Sequence, residues 1–86
     1  MTVEDKFNNK NYELQQKILV EIDKVKNGLS NKNILHLETI LKELRNSEKE
    51  RGIALSYPRM IVDSWDYSDM LGTELIELAE IYKKVK

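Results

Sequence analysis

"MLGTELIELAEIYKKVK", residues 70–86, carries the strongest periodic signal in the chain. Leu71, Leu75, Leu78, Tyr82 and Val85 recur at spacings of 4, 3, 4 and 3, the repeat of one helix face. Ala79 and Ile76 widen that face on one side, Met70 and Ile81 on the other, until apolar positions fill more than half the circumference. One neighbouring helix cannot cover so wide an arc. The pattern predicts a helix in the middle of a bundle, packed on two other long helices or on the 53–67 segment. Lys83, Lys84 and Lys86 stand in the last turn, where cations favour the negative end of the helix dipole.

Two more long helices are expected upstream. Ile34, Leu37, Leu41 and Leu44 follow at 3, 4 and 3, with Ile40 beside them, and Gly52 supplies a stop after Arg51. Ser30 is the expected N-cap of this helix, with Leu29 in register to pack on Ile34 as a hydrophobic staple. Beyond Leu44 the core-facing positions fall to Glu48 and Arg51, so "NSEKER" (46–51) is expected to project into water or fray. The first helix has Thr2 as cap, Glu4 and Asp5 in its first turn, and a stripe of Val3, Phe7, Leu14, Ile18, Ile22 and Val25. Within it, "NNKN" (8–11) leaves two readings open: a continuous helix, or a break with Asn11 capping a shorter one that runs to Asn27. Gly28 suits the left-handed residue that follows a helix end.

Between Gly52 and Ser68, Tyr57, Ile61 and Trp65 stand four apart, which suits a short helix with Ser56 as cap and Pro58 in its first turn. "RMIV" (59–62) is also compatible with a strand, since so short an apolar run does not separate the two. The fold expected is all-α: one domain over residues 1–86, a small antiparallel bundle of three long helices plus a short helix at about 57–67.

Composition limits what such a bundle can do. The 86 residues include 34% charged and 41% apolar side chains, the balance of a folded soluble chain. With 14 basic against 15 acidic residues there is no bulk attraction to nucleic acid or to anionic membrane, and neither is expected as a partner. Cysteine is absent and His36 is the single histidine, which removes disulfides, thiolate metal sites and structural zinc. No run of apolar residues approaches the ~20 needed to span a bilayer, and "MTVEDKFNNKN" lacks the basic start and apolar core of a signal peptide. A cytoplasmic location is expected.

The residues that invite a functional question lie in "YPRMIVDSWDYSDMLG" (57–72), which holds the only Pro, the only Trp and three Asp spaced three apart. A calcium loop started at Asp63 would reach Glu74 at its twelfth position. Trp65, Tyr67 and Ser68 then occupy positions that need oxygen ligands or Gly, so the metal reading fails. Asp66 and Asp69 read as helix caps and first-turn charges. Asp66, Asp69, Glu77 and Glu80 also project near one another as an acidic strip along the last helix, with Glu80 and Lys84 as an i, i+4 pair. Tyr57, Trp65 and Tyr67, with Arg59 among them, are the residue types that anchor protein interfaces as well as small cores.

His36 falls off the apolar stripe and reads as a surface residue with no nucleophile or carboxylate at a useful spacing. No catalytic, cofactor or metal residue is assigned, and an enzyme is not expected. A helix-turn-helix reading of "NGLSN" (27–31) is weakened by the mixed charge of the helix that follows.

The Tyr-Pro followed by an Asp-bearing stretch, "SYPRMIVDSWDYSDMLG", resembles the immunity proteins that block colicin-type nucleases. The overlap covers under a fifth of the chain. One Tyr precedes Pro where that family carries two, and the family's dense acidic loop is not preserved, so no residue role is carried over. The functional expectation is a small interaction module of inhibitor, immunity or regulatory type, binding a protein partner with a basic surface. Its contact residues would be Tyr57, Arg59, Asp63, Trp65, Asp66, Tyr67, Asp69, Glu77 and Glu80. The alternative is a self-associating subunit whose wide last helix is covered by a second copy.

Overall fold

Thr2 opens the first helix as expected. Its hydroxyl accepts a hydrogen bond from the Asp5 N–H at 3.1 Å while its own N–H donates to the Asp5 carboxylate at 3.3 Å. These are the two reciprocal bonds of a capping box. In the computed structural model, which describes residues 2–66 and 68–85, α1 then runs unbroken over Val3–Lys26. The Asn-rich stretch does not interrupt it, because Asn11 points into the bundle rather than back at its own backbone. Asn11 is 1% exposed, and its Nδ2 donates to the Leu44 carbonyl and to Ser47 Oγ, both at 3.1 Å. Gln15 Nε2 donates to Asn11 Oδ1 at 2.7 Å and to the Glu48 carboxylate at 3.0 Å.

That network corrects one part of the reading of residues 46–51: Asn46, Glu48, Lys49 and Glu50 do face water as expected, but Ser47 turns inward and the helix does not fray. The stripe on α2 (Ile34–Lys49) does change from apolar to polar after Leu44, yet Ser47 is fully buried and the helix holds to Lys49. Polar positions on α2 meet polar partners on α1, so this end of the helix is packed rather than frayed. Arg51 continues the contact: its guanidinium lies 5.5 Å from the Phe7 ring centroid and donates to the Ser47 carbonyl at 2.7 Å.

The start of α2 also differs from expectation. Asn33 is the cap, its side-chain oxygen accepting the Leu35 N–H at 2.8 Å and the His36 N–H at 3.4 Å. Ser30 is occupied elsewhere, donating to the Glu21 carboxylate at 2.8 Å, and Leu29 stays 76% exposed, so no staple forms. Asn caps as well as Ser, and the Ser30 hydroxyl serves the turn ahead of α2 instead, accepting the Lys32 N–H at 3.3 Å while it donates to Glu21. Gly28, at φ +74°, makes the left-handed turn after α1, with the Leu29 N–H donating to the Lys24 carbonyl at 2.7 Å.

The uncertain segment is helical: α3 covers Tyr57–Ser64 with Pro58 in its first turn. Ser56 stands at the cap position but makes no side-chain cap bond. The Glu43 carboxylate of α2 takes that role, accepting the Ser56 N–H at 2.8 Å, the Tyr57 N–H at 3.0 Å and the Ser56 hydroxyl. Glu43→Ala is expected to cost about 1–2 kcal/mol, the range for loss of a helix cap, with Glu43→Gln retaining much of it. Urea unfolding checks this; equal midpoints for Ala and wild type would remove the cap from the account.

The last helix, α4 (Met70–Lys84), packs on α1 and α3, while α1 also packs on α2 and α2 on α3. The wide apolar arc is thus divided between two neighbours, the short helix being one of them. One core cluster draws on all four helices, including Phe7, Leu14 and Ile18 from α1, Leu37, Ile40 and Leu44 from α2, Tyr57 and Ile61 from α3, and Leu75 and Leu78 from α4. No helix among the described residues is long and apolar enough to cross a membrane.

Tyr57, named among the partner contacts, is fully buried on the inward side that its spacing with Ile61 and Trp65 gives a short helix, and its hydroxyl donates to the Leu75 carbonyl at 2.8 Å. Burial, then the nearby Glu43 charge, pushes its ionisation upward. Folding therefore opposes ionisation, and the unfolded chain gains the advantage as pH rises past the ordinary tyrosine value of 10.0. Thermal unfolding followed between about pH 8 and 11.5 should show stability falling above pH 10, with Tyr57→Phe flattening part of that fall.

Candidate partner-binding surface

The loop between α3 and α4 is built from carboxylates that satisfy local backbone. Asp66 accepts from the Ser68 N–H and from the Ser68 hydroxyl, each at 2.9 Å. These bonds hold its carboxyl below the usual range, so it stands exposed and charged at neutral pH. Asp69 caps α4 through the Leu71 and Gly72 N–H groups at 3.0 and 3.3 Å. It also pairs with Lys32, 2.8 Å away on the segment leading into α2.

Lys32 ties this loop to the rest of the bundle. Its ammonium lies 3.3 Å from Glu21 and 5.4 Å from the Trp65 ring centroid. Burial is the largest single influence on this ammonium and works against its charge. The Asp69 and Glu21 carboxylates together outweigh it, and the net direction is upward.

Trp65 closes α3, its N–H donating to the Ile61 carbonyl at 2.8 Å, and its ring is half-buried. The ring lies on the backbone of α4: a Cβ added at Gly72 would stand 3.1 Å from Trp65 Cε3 and 3.2 Å from Ile61 Cγ2. Gly72 is therefore a point of close approach to the end of α3, and its lack of a side chain lets the indole seat there. The packing leaves a recess on each side of Trp65. One, of about 350 Å³, lies against the start of α2 and is lined by Lys32, His36, Ser64 and Asp66 among others. The other, of about 80 Å³, lies between α3 and α4 and is lined by Ile61, Val62, Gly72, Thr73 and Ile76. Both are bordered by Asp66 and Asp69.

The remaining candidates divide. Arg59 and Asp63 lie on the outer face of α3, 91% and 66% exposed, 3.9 Å apart as an i, i+4 pair. Val62 between them is 53% exposed. Glu77 and Glu80 lie farther along α4, about 12–17 Å from Asp69 by helical rise. They do not form an isolated acidic strip: Glu77 borders a recess with Lys6 and Lys10 of α1, and Glu80 pairs with Lys83 at 3.2 Å rather than with Lys84. Tyr67 lies outside the described residues. The corner thus unites Trp65, Asp66 and Asp69, while Arg59 and Asp63 stay on the outer face of α3, Tyr57 goes to the core and Glu77 and Glu80 lie farther along α4.

Lys32 and His36 were absent from the sequence-based set. They reach Trp65 across about thirty positions of chain, and no local spacing announces that meeting. Among the described residues no group of three or more His, Cys, Asp or Glu is placed to hold a metal ion.

The chain matches no protein-family model, no curated protein and no solved structure. Its functional reading rests on the chemistry of this corner.

Proposed function

We propose that the protein is a non-catalytic binding module that holds a protein partner at the α3–α4 corner. The observation that carries this is Trp65, half-buried, seated on Gly72 and open to a recess on either side. An indole held in this way loses little conformational freedom on binding, which is what an interface anchor requires. Exposed Val62 extends the apolar area, exposed Asp66 borders both recesses, and exposed Asp63 adds negative charge on the neighbouring outer face of α3. The matching partner surface inserts an apolar or aromatic side chain beside Trp65 and surrounds it with Lys or Arg.

Arg59 does not cancel this charge, because a 3.9 Å pair between well-exposed groups is weak and readily exchanged for a partner's cation. The wide face of α4, which would motivate pairing with a second copy, packs its buried centre, Leu75, Leu78 and Ala79, within the chain and leaves only Met70 at its edge fully open. That favours a different protein as partner.

A photo-crosslinking amino acid at position 62, compared with one at Asp23 on α1, tests the proposal in the protein's native cells. A discrete adduct at 62, absent at 23 and lost on Asp63→Lys with Asp66→Lys, is the expected result. Equal adducts at both positions, or an adduct indifferent to charge reversal, would assign binding elsewhere. An adduct of twice the chain mass would make the partner a second copy.

A further inference from the structure

A crevice between α1 and α2, sharing no lining residue with the Trp65 corner, has the opposite character. Its floor is apolar, formed by Leu19, Ile22 and Leu41, and Leu19 is 39% exposed there. Its rim carries four cations, Lys26 from α1 and Lys42, Arg45 and Lys49 from α2, against the single carboxylate of Glu38. Among the described residues, none of the four lies within 4.0 Å of a carboxylate; Lys6, Lys24 and Lys84 are likewise without an ion pair but do not line this crevice, while Lys10, Lys17, Lys32, Arg51, Arg59 and Lys83 are paired. The crevice encloses about 510 Å³, and Glu38 to Lys49 span roughly 16 Å of helix.

We infer that this groove is a second docking surface, and that its occupant is an acidic amphipathic helix of a partner protein. The charge balance of the chain sharpens the point. With 14 basic and 15 acidic residues overall, four cations left without an ion pair along one crevice mark segregation rather than bulk excess. The rim selects carboxylates, and the floor gives them an apolar stripe to accompany. A helix laid in the groove for about three turns would place apolar residues at i, i+3, i+4 and i+7 on Leu19, Ile22 and Leu41. Its flanking Glu or Asp would then meet Lys26 on one side and Lys42, Arg45 and Lys49 on the other. Nucleic acid fits less well, because an apolar floor offers phosphates nothing and no aromatic ring lines the groove on which a base could stack.

The test uses the full chain and a fluorescein-labelled helical peptide of about 18 residues, with leucine on one face and glutamate on both flanks, read by fluorescence anisotropy. A scrambled peptide of the same composition, a short DNA duplex and phosphatidylglycerol vesicles serve as competing ligands. The proposal expects the amphipathic peptide to bind about tenfold or more tightly than its scrambled form. It expects the double variant Lys42→Glu, Arg45→Glu to lose about tenfold or more of that affinity, and Leu19→Asn to lose a comparable amount with the charges untouched. These side chains are exposed or half-exposed, so unchanged far-UV circular dichroism and Trp65 emission will certify the fold. Equal binding of ordered and scrambled peptides, tighter binding of DNA or vesicles, indifference to the variants, or no binding of the peptide would each overturn the inference.

Discussion

Tyr57→Ala is expected to leave much of the chain unfolded at 25 °C. The ring is fully buried where α3 meets α4, and its hydroxyl donates to the Leu75 carbonyl. Removing a buried aromatic ring to Ala costs about 3–5 kcal/mol through lost transfer energy and the cavity left behind. Small domains have total stabilities of about 5 kcal/mol at the lower end, so that loss is most of what is present. Tyr57→Phe keeps the ring and removes one hydrogen bond, a cost of about 1 kcal/mol. Urea titrations followed by Trp65 emission and far-UV circular dichroism should therefore rank the variants wild type, Phe, Ala, with the Phe midpoint near wild type. Similar midpoints for Phe and Ala would mean that the ring contributes little. The ranking also guards the functional tests, since loss of binding in Tyr57→Ala would report unfolding rather than a lost contact.

Asn11→Asp should be nearly as damaging, for an electrostatic reason. The substitution barely changes shape, but the bond that Nδ2 donates to the Leu44 carbonyl becomes oxygen facing oxygen at 3.1 Å, and Ser47 keeps a contact only by turning its hydroxyl away from that carbonyl. A carboxylate at a site 1% exposed also loses its hydration, with no cation bonded to position 11 to offset it. About 3–5 kcal/mol is expected at neutral pH, the range for an uncompensated buried charge. Burial raises such a group's pKa in the folded state, so the penalty is present above the unfolded Asp value and falls away as the group protonates in acid. Part of the stability should return below about pH 4. Asn11→Ala, which introduces no charge, should show a smaller loss and no such recovery. A pH-independent Asn11→Asp would indicate that water reaches this network.

The contrast between Tyr57 and Asn11 explains what could be read from the chain. Tyr57, Ile61 and Trp65 are apolar or aromatic at helical spacing, so a short helix with an inward face was legible, as were the Thr2 cap and the wide arc on α4. Periodicity reports which face turns inward but not what it meets. Asn11 and Ser47 occupy inward positions with polar side chains, which resembles exposure until the partner helix is in place. Ser30 lost its expected cap role to Asn33 because α2 starts one turn later, and the Ser30 hydroxyl accepts the Lys32 N–H within the turn that precedes it. At the candidate site, the Asp-rich corner stood out by composition. The part played by Lys32 and His36 depends on the start of α2 meeting the end of α3, which no local pattern encodes.

Glu43 has a further consequence through time rather than energy. An eight-residue helix lies below the length at which a helix holds itself together, and α3 obtains its N-terminal acceptor from α2. It can therefore close only onto an α2 already formed, and its release carries the cost of exposing the buried Tyr57 ring. Amide hydrogen exchange should find Ser56 and Tyr57 opening together with the Trp65 corner, at a free energy below that of Leu14 or Leu44 by no more than the long-helix contacts that stay formed. A partner gripping that corner would slow their exchange first, reporting occupancy from amides it never touches.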